Sequence, residues 1–398
     1  MKKKLKISDF FELEQLPPSA EIRIGRMLKS GKLFRYTGQG NEAYLLERDF
    51  AKFLGVRFCV AVNSCSSAMF LALKALELRA GDKVLVPAFT FVAVPSAVVH
   101  AGGVPVLVES TSSYVIDLHD LQKKMKASGA GFLLLSHMRG HVSDMDAVRK
   151  LCRTYRVRLI EDAAHSVNAT WGGKLTGTLG NVGCFSFQSY KMVNGGEGGL
   201  LATNDPMVAA RAICMSGAYE QSWRFHPSVS EMMFTSIIGR VPAYNLRMNS
   251  ITAAAIRAQL PLIHIRTAAY RKKYEFLRLG LSKSPFIEIP AALPKVGTAP
   301  DSMQFNLVGF STKQAEAVMQ LIRGRGVSMY VIGVHSGNAR VFWNWKFLKT
   351  RRSTLPRTAA MLMRICDFRI SPRFTKSDLS EIIRIIVESI GAVKSRKI

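Results

Sequence analysis

Lys191 stands in the run GCFSFQSYKMVNGGEGG, four residues past Phe187, where an apolar strand-like stretch ends, and four before Gly195. An amine held between a strand end and a flexible glycine turn can meet an aldehyde and form a Schiff base. Taken alone, a lysine before a glycine-rich loop is usually a solvated lysine. The glycines do not spell a phosphate loop, since no Lys-Ser or Lys-Thr pair follows them. Thirty residues upstream, Glu161 and Asp162 close the apolar run RLIED. Carboxylates at the C-terminal end of such a strand sit where open α/β sheets bind ligands. Asp162 reads either as a helix N-cap or as the partner of a cofactor's pyridine nitrogen. The second role keeps the ring protonated and makes it an electron sink.

Two further pieces stand nearer the N-terminus. Asn63-Ser64-Cys65-Ser66-Ser67 separates a strand-like run from an apolar helix-like one. Small polar residues at a helix N-terminus offer hydroxyls and free backbone N–H groups to a phosphate, or simply cap the helix. Phe91, in PAFTF, follows another strand, where it can stack on a planar ring or join the core. A phosphate cradle, a stacking aromatic, a strand-end acid and a loop lysine follow in that order. Together they point to pyridoxal 5′-phosphate (PLP).

The elements that must position these residues alternate. FCVAVN precedes SSAMFLALKALEL, VLVPAF precedes VPSAVVHAG, and GFLLLSHM precedes DMDAVRKLCRTY. Strand–helix alternation predicts βαβ units and a mainly parallel sheet. It persists to about residue 215. Val84 to Val108 holds no Asp, Glu, Lys or Arg over 25 residues, the length of a membrane span. Prolines and the pair Gly102-Gly103 interrupt it, so it reads as two buried parallel strands around a helix. Residues 218–244 read as a long loop. A continuous helix is predicted from about Ser250 to Leu279, and a smaller α+β domain after it. The division is a large domain over 1–255 and a small C-terminal domain over 256–398.

The 398 residues are 48% hydrophobic and 21% charged, which excludes a disordered chain. The net charge is +27, of which residues 201–398 carry +18. That excess invites a nucleic-acid-binding protein. The chain offers no zinc spacing, helix-turn-helix or RNA-binding signature, and its charge runs along helices where a solvated face is expected. The six cysteines have no C-x-x-C spacing and sit mostly in apolar runs, as reduced thiols in a cytoplasmic protein would. The start, MKKKLKISDF, has no apolar segment of a signal peptide.

At the residues singled out above, the sequence resembles the DegT/DnrJ/StrS family of PLP-dependent sugar aminotransferases. NSCSSAMFLALKAL, VPAFTFVAVPSAVVHAGGVPVLVE, EDAAHSVNATWGGKLTGTLGNVGCFSFQSYKMVNGGEGG and NLRMNSITAAA carry the likeness. It implies an α/β fold of type I, with a mainly parallel seven-stranded sheet flanked by helices. It implies that Lys191 forms the internal aldimine, Asp162 pairs with the pyridine nitrogen and His165 bonds the ring hydroxyl. Phe91 would stack on the ring, while Ser66, Ser67 and Ser186 would hold the phosphate. Asn245 would reach that phosphate from a second subunit of a homodimer. The family's Gly-Thr pair is Cys65-Ser66 here, its acid after R-M-S is Ser250, and its His-Gly pair is Ser216-Gly217. The expected reaction moves an amino group from L-glutamate to a keto-sugar, nucleotide-linked, for polysaccharide or amino-sugar biosynthesis. The alternative acceptor is a cyclitol, to which the S-F-Q run before the lysine points, or an octulosonate-type ketone, to which Trp343 and Trp345 point. Family dehydratases carry histidine at the lysine position, so Lys191 favours transamination. Arg224, Arg240 and Arg340 are the candidates for holding an anionic substrate.

Overall fold

In the computed structural model, which describes residues 5–38 and 40–395, one seven-stranded sheet carries the first half of the chain. The basic start at residues 1–4 lies outside the described residues. The strands are β1 (Phe58–Val62), β2 (Lys83–Pro87), β3 (Val104–Val108), β4 (Phe132–Ser136) and β5 (Arg158–Asp162). After a small hairpin of β6 (Thr170–Trp171) and β7 (Lys174–Leu175) come β8 (Val182–Ser186) and β9 (Gly199–Thr203). Their order across the sheet is β1-β9-β8-β5-β4-β2-β3. The pairings from β3 to β8 are parallel, and only β9 runs against both its neighbours. This is the mainly parallel seven-stranded sheet that the alternation and the family resemblance predict. β4, FLLLS, is buried at all five positions, as expected where helices cover both faces.

The uncharged tract Val84–Val108 resolves into β2, the helix Ala93–His100 and β3, with the two strands paired in parallel. Pro105 is tolerated because β3 is an edge strand. Among the described residues no helix is long and apolar enough to cross a membrane.

The long helix predicted over 250–279 is two helices, Ser250–Gln259 and Ile263–Leu281, joined by a 3₁₀ turn at Leu260–Leu262. Pro261 explains the break: it has no N–H to give, and its ring crowds the preceding turn. Ala255, where the sequence reading divides the domains, lies inside the first of these helices. The loop 218–244 is also less free than expected. It holds the helix Glu231–Thr235, and Trp223 stacks on Phe234 at 5.1 Å. His226 enters a buried cluster with Arg35, Glu47 and Tyr36.

Beyond this point β10 (Ile287–Glu288), β12 (Ser302–Leu307), β13 (Tyr330–Val331) and β14 (Ile365–Arg369) make an antiparallel sheet in the order β10-β12-β14-β13. β11 (Val296–Gly297) joins the β6–β7 hairpin instead and ties the two halves together. One apolar cluster runs from Leu133 and Leu135 of β4 to Phe305, Ile382 and Ile386, so the small sheet packs against the large one. β1, β4, β5 and β8 run the same way. Their C-terminal ends, at Val62, Ser136, Asp162 and Ser186, therefore share one edge of the sheet, where ligands bind in such folds.

Candidate active site

Ser64 caps the helix Cys65–Ala75 by accepting the Ser67 N–H at Oγ, 3.1 Å away. The cap leaves Ser66 exposed at the first turn, where the dipole and unpaired amides favour an anion. The glycine run supports this turn from behind. A Cβ at Gly199 would collide with the Ser64 carbonyl, so only glycine lets β9 approach the helix start. Ser64 and Gly198 are joined by an isolated bridge. The run GGEGG thus works by close packing, which its failure as a phosphate motif had left unexplained.

Ser66 faces a cavity of about 490 Å³ that Phe91, Asp162, His165, Ser186 and Lys191 also line. That volume lies in the usual range for a small-molecule site. Phe91 keeps 44% of its surface exposed, so it is a wall of the cavity and not core. Asp162 ends β5 and is held by the Ser136 hydroxyl at 2.7 Å and the Ala164 N–H at 3.1 Å. No helix starts at Asp162, which removes the N-cap reading. Glu161 points the other way. Its buried carboxylate accepts the N–H groups of Gly177 (3.0 Å), Leu179 (2.7 Å) and Gly180 (2.7 Å), so its role is to fix the loop before β8.

Lys191 Nζ lies 2.9 Å from His165 Nε2, and His165 Nδ1 faces Asp301 Oδ2 at 3.6 Å. Burial brings the Lys191 ammonium down to about 8; Arg139 adds repulsion, and Asp301 and Asp162 oppose it. Burial, and then the Lys191 charge, bring His165 down to about 3, so its ring is neutral at neutral pH. Asp301 stays well below the usual carboxylate range, because contact with His165 and the nearby Arg139 and Arg369 outweigh its burial. A neutral ring with a free Nε2 lone pair can accept a hydrogen bond from the lysine. The amine is thus positioned and partly unprotonated near pH 8.

Two of the expected residues lie elsewhere. Ser67 is outside the cavity lining, its hydroxyl donating to Asn63 Oδ1 at 2.6 Å. Asn245 is exposed and also absent from the lining, on the segment that the family resemblance assigns to a neighbouring subunit. Of the three candidate arginines, Arg340 lines the cavity, while Arg224 and Arg240 do not. Trp345 is buried with its indole N–H on the Ala339 carbonyl, and Trp343 carries Arg352 over its ring. The sequence reading passed over Arg139, Arg369, Asp301 and Tyr190. The one local signal was for Arg139, a charge just beyond the buried strand FLLLS.

The sequence profile of the DegT/DnrJ/EryC1/StrS aminotransferase family matches residues 21–387. The chain is 33% identical over 224 residues to a GDP-perosamine synthase of Caulobacter vibrioides, covering 56% of this chain and 57% of that one. It is 31% identical over 269 residues to the spore coat polysaccharide biosynthesis protein SpsC of Bacillus subtilis, covering 67% and 66%. The matches thus span about half to two thirds of the length of these curated relatives. The aminotransferase TlmJ from Streptoalloteichus hindustanus superposes with a TM-score of 0.82 at 22% identity, over 96% of this chain and 99% of that one. That likeness is one of fold.

Proposed function

This chain belongs to the DegT/DnrJ/EryC1/StrS aminotransferase family, and from that premise we propose that it is a PLP-dependent aminotransferase. It moves an amino group from L-glutamate onto a nucleotide-linked keto-sugar that feeds polysaccharide or amino-sugar biosynthesis. It works as a cytoplasmic homodimer. The observation that carries this reading is the Lys191 amine, 2.9 Å from a neutral His165, in one cavity with Asp162, Ser66, Ser186 and Phe91. The six cysteines are free and buried, which suits a reducing compartment.

The residues fit the cofactor. Bound there, PLP supplies an aldehyde and an electron-withdrawing ring. Ser66, Ser186 and the amides at the start of the helix Cys65–Ala75 hold a phosphate. Asp162, fixed by Ser136 and Ala164, keeps a proton on a ring nitrogen. Phe91 covers a ring face, and the free Nε2 of His165 can accept a hydrogen bond from a ring hydroxyl. Lys191 Nζ takes up and returns the proton that amino transfer requires. Asn245 completes the phosphate site from the neighbouring subunit, while Ser67, its hydroxyl given to Asn63, supports the turn from behind.

The test is the purified protein. It should be yellow, and borohydride should fix the cofactor to Lys191. Lys191→Ala should keep cofactor through its phosphate but hold none after borohydride treatment and denaturation. L-glutamate and L-glutamine, each paired with a nucleotide-linked keto-sugar, identify the donor. Normal turnover by Lys191→Ala would overturn the assignment.

A further inference from the structure

Three guanidinium groups, Arg139, Arg340 and Arg369, line the same cavity as Lys191. Their counter-charges are already in use. Asp367 Oδ2 receives Arg139 Nη2 and also faces Arg340 Nη1 at 3.7 Å, while Asp367 Oδ1 accepts the Gln304 amide at 2.8 Å. One carboxylate therefore answers two arginines. Asp301 faces His165 and accepts the Ser302 hydroxyl. Arg369 donates to the Tyr190 carbonyl at 2.6 Å and lies over the Tyr190 ring, both neutral partners.

Two polar atoms in this cluster are buried without a partner, Arg139 Nε and Arg340 Nε. Burying an unanswered donor of a charged group is costly, so these atoms mark a cluster whose positive charge is poorly answered by the protein. Arg340 is brought down to about 10, chiefly by the neighbouring Arg139, which is a sign of uncompensated positive charge. The backbone carries a second mark. Arg139 is left-handed, with φ of 56°, and Gly140 follows at 80°. A Cβ at Gly140 would press on the His165 carbonyl at 3.1 Å, so the turn that aims Arg139 is locked against the Lys191 site. A bulky side chain rarely takes this conformation, and such strain gathers at ligand sites.

We propose that Arg139, Arg340 and Arg369 form a subsite for an oxyanion of the substrate, a carboxylate or a phosphate, separate from the phosphate cradle at Ser66. This deepens the reading of the cavity as a PLP site and rests on it. The planar forks of the arginines suit bidentate binding of such a group. The anion gives the guanidinium groups that face the cavity an acceptor and offsets the repulsion between Arg139 and Arg340. The bound substrate is thereby oriented toward Lys191.

The test uses the PLP-loaded full chain and calorimetry with three probes: glutarate, butyrate and glucose 1-phosphate. Wild type should bind glutarate or glucose 1-phosphate at least about tenfold more tightly than butyrate, and more weakly as salt rises. Preference for glutarate places the anion on the amino donor, and preference for glucose 1-phosphate places it on the acceptor. Arg340→Gln and Arg369→Gln should each weaken the preferred probe about tenfold or more, with Arg340→Lys in between and the bound PLP unchanged. Equal binding by wild type and variants, or no binding of either dianion, overturns the proposal. Loss of PLP from the glutamine variants also overturns it, by assigning the arginines to the cofactor. The calorimetry needs no coloured cofactor. A colourless wild type would therefore sink the PLP reading alone, and the anion binding would still decide this one.

Discussion

A lysine amine attacks a carbonyl only when it is unprotonated. With its ammonium brought to about 8, Lys191 is about half neutral at pH 8, where a solvated lysine of pKa about 10.4 would be under 1% neutral. The rate at which apoenzyme captures PLP should therefore climb with pH and level off just above 8. A stopped-flow profile with its midpoint near 10 would show that the cavity does not tune Lys191. His165, held at about 3, should add no inflection between pH 5 and 7. Asp162→Asn keeps the size of the side chain and removes its charge. It should retain PLP and lose about 100-fold or more in kcat, as expected when a group that stabilises developing charge is removed. An Asn variant turning over near the wild-type rate would end the role given to Asp162. Lys191, Asp162 and Phe91 were legible because each sits at a strand end with a local pattern around it. Arg139, Asp301 and Arg369 were not. Arg139 and Arg369 reach the cavity, and Asp301 reaches His165 beside it, from loops and strands far apart in the chain, and no spacing rule joins them.

The elements hold the site by means of buried polar groups that tolerate little change. Glu161 takes three backbone N–H groups and faces His137 Nε2 at 3.0 Å, fully buried beside Asp162. Glu161→Gln sets an NH₂ group against donors and removes the charge they answer. It should cost about 2–4 kcal/mol, read as a lower urea midpoint at unchanged slope. An unmoved midpoint would mean that the loop 177–180 needs no such anchor. Acid should act through histidines held down by burial, His141 and His165 most strongly and His226 with them. His141 is held down to about 4 by burial, and His165 to about 3, whereas both take a proton near 6.5 once unfolded. The unfolded chain then binds more protons below 6.5, so stability should fall as pH drops from about 6.5 toward 4. Urea midpoints of wild type and His141→Asn between pH 7.5 and 4.5 check this, and the variant's decline should be the shallower one. At this scale the strand–helix order could be read directly, because each element carries its own period. The break at Pro261 was also written in the sequence. The order within 218–244 was not, since it depends on His226 meeting Arg35 and Glu47, about 180 residues away.

The whole molecule presents a surface that a monomer would not be expected to keep. Phe34 and Tyr219 are both exposed, and Arg247 lies over each ring, at 5.3 and 5.1 Å. Asn245 lies close to Arg247 in the chain and is exposed, and Ile22, Leu28, Met232 and Ile238 are further exposed apolar side chains of the segments 18–30 and 231–238. Apolar patches of this kind mark interaction sites. Two copies of a chain with a net charge of +27 repel one another, so a dimer would have to draw its association from apolar burial, and added salt should strengthen it. Light scattering at low and moderate salt should report a dimer, more fully associated at the higher salt. The resemblance that assigns Asn245 to the neighbouring subunit makes a sharper demand. In a two-fold dimer each site would take Lys191 from one chain and Asn245 from the other. Lys191→Ala and Asn245→Ala homodimers should then each be impaired, the first completely. A hybrid of the two variants builds one site from both intact residues and one from both altered residues. After equal mixing and subunit exchange, about half of the dimers are hybrids with one intact site of two, so activity should return to about a quarter of wild type. If Asn245 instead served its own chain, every hybrid site would carry one defect and mixing would restore nothing. Activity that stays at the average of the two separate variants would thus refute a shared site, even if the protein is a dimer.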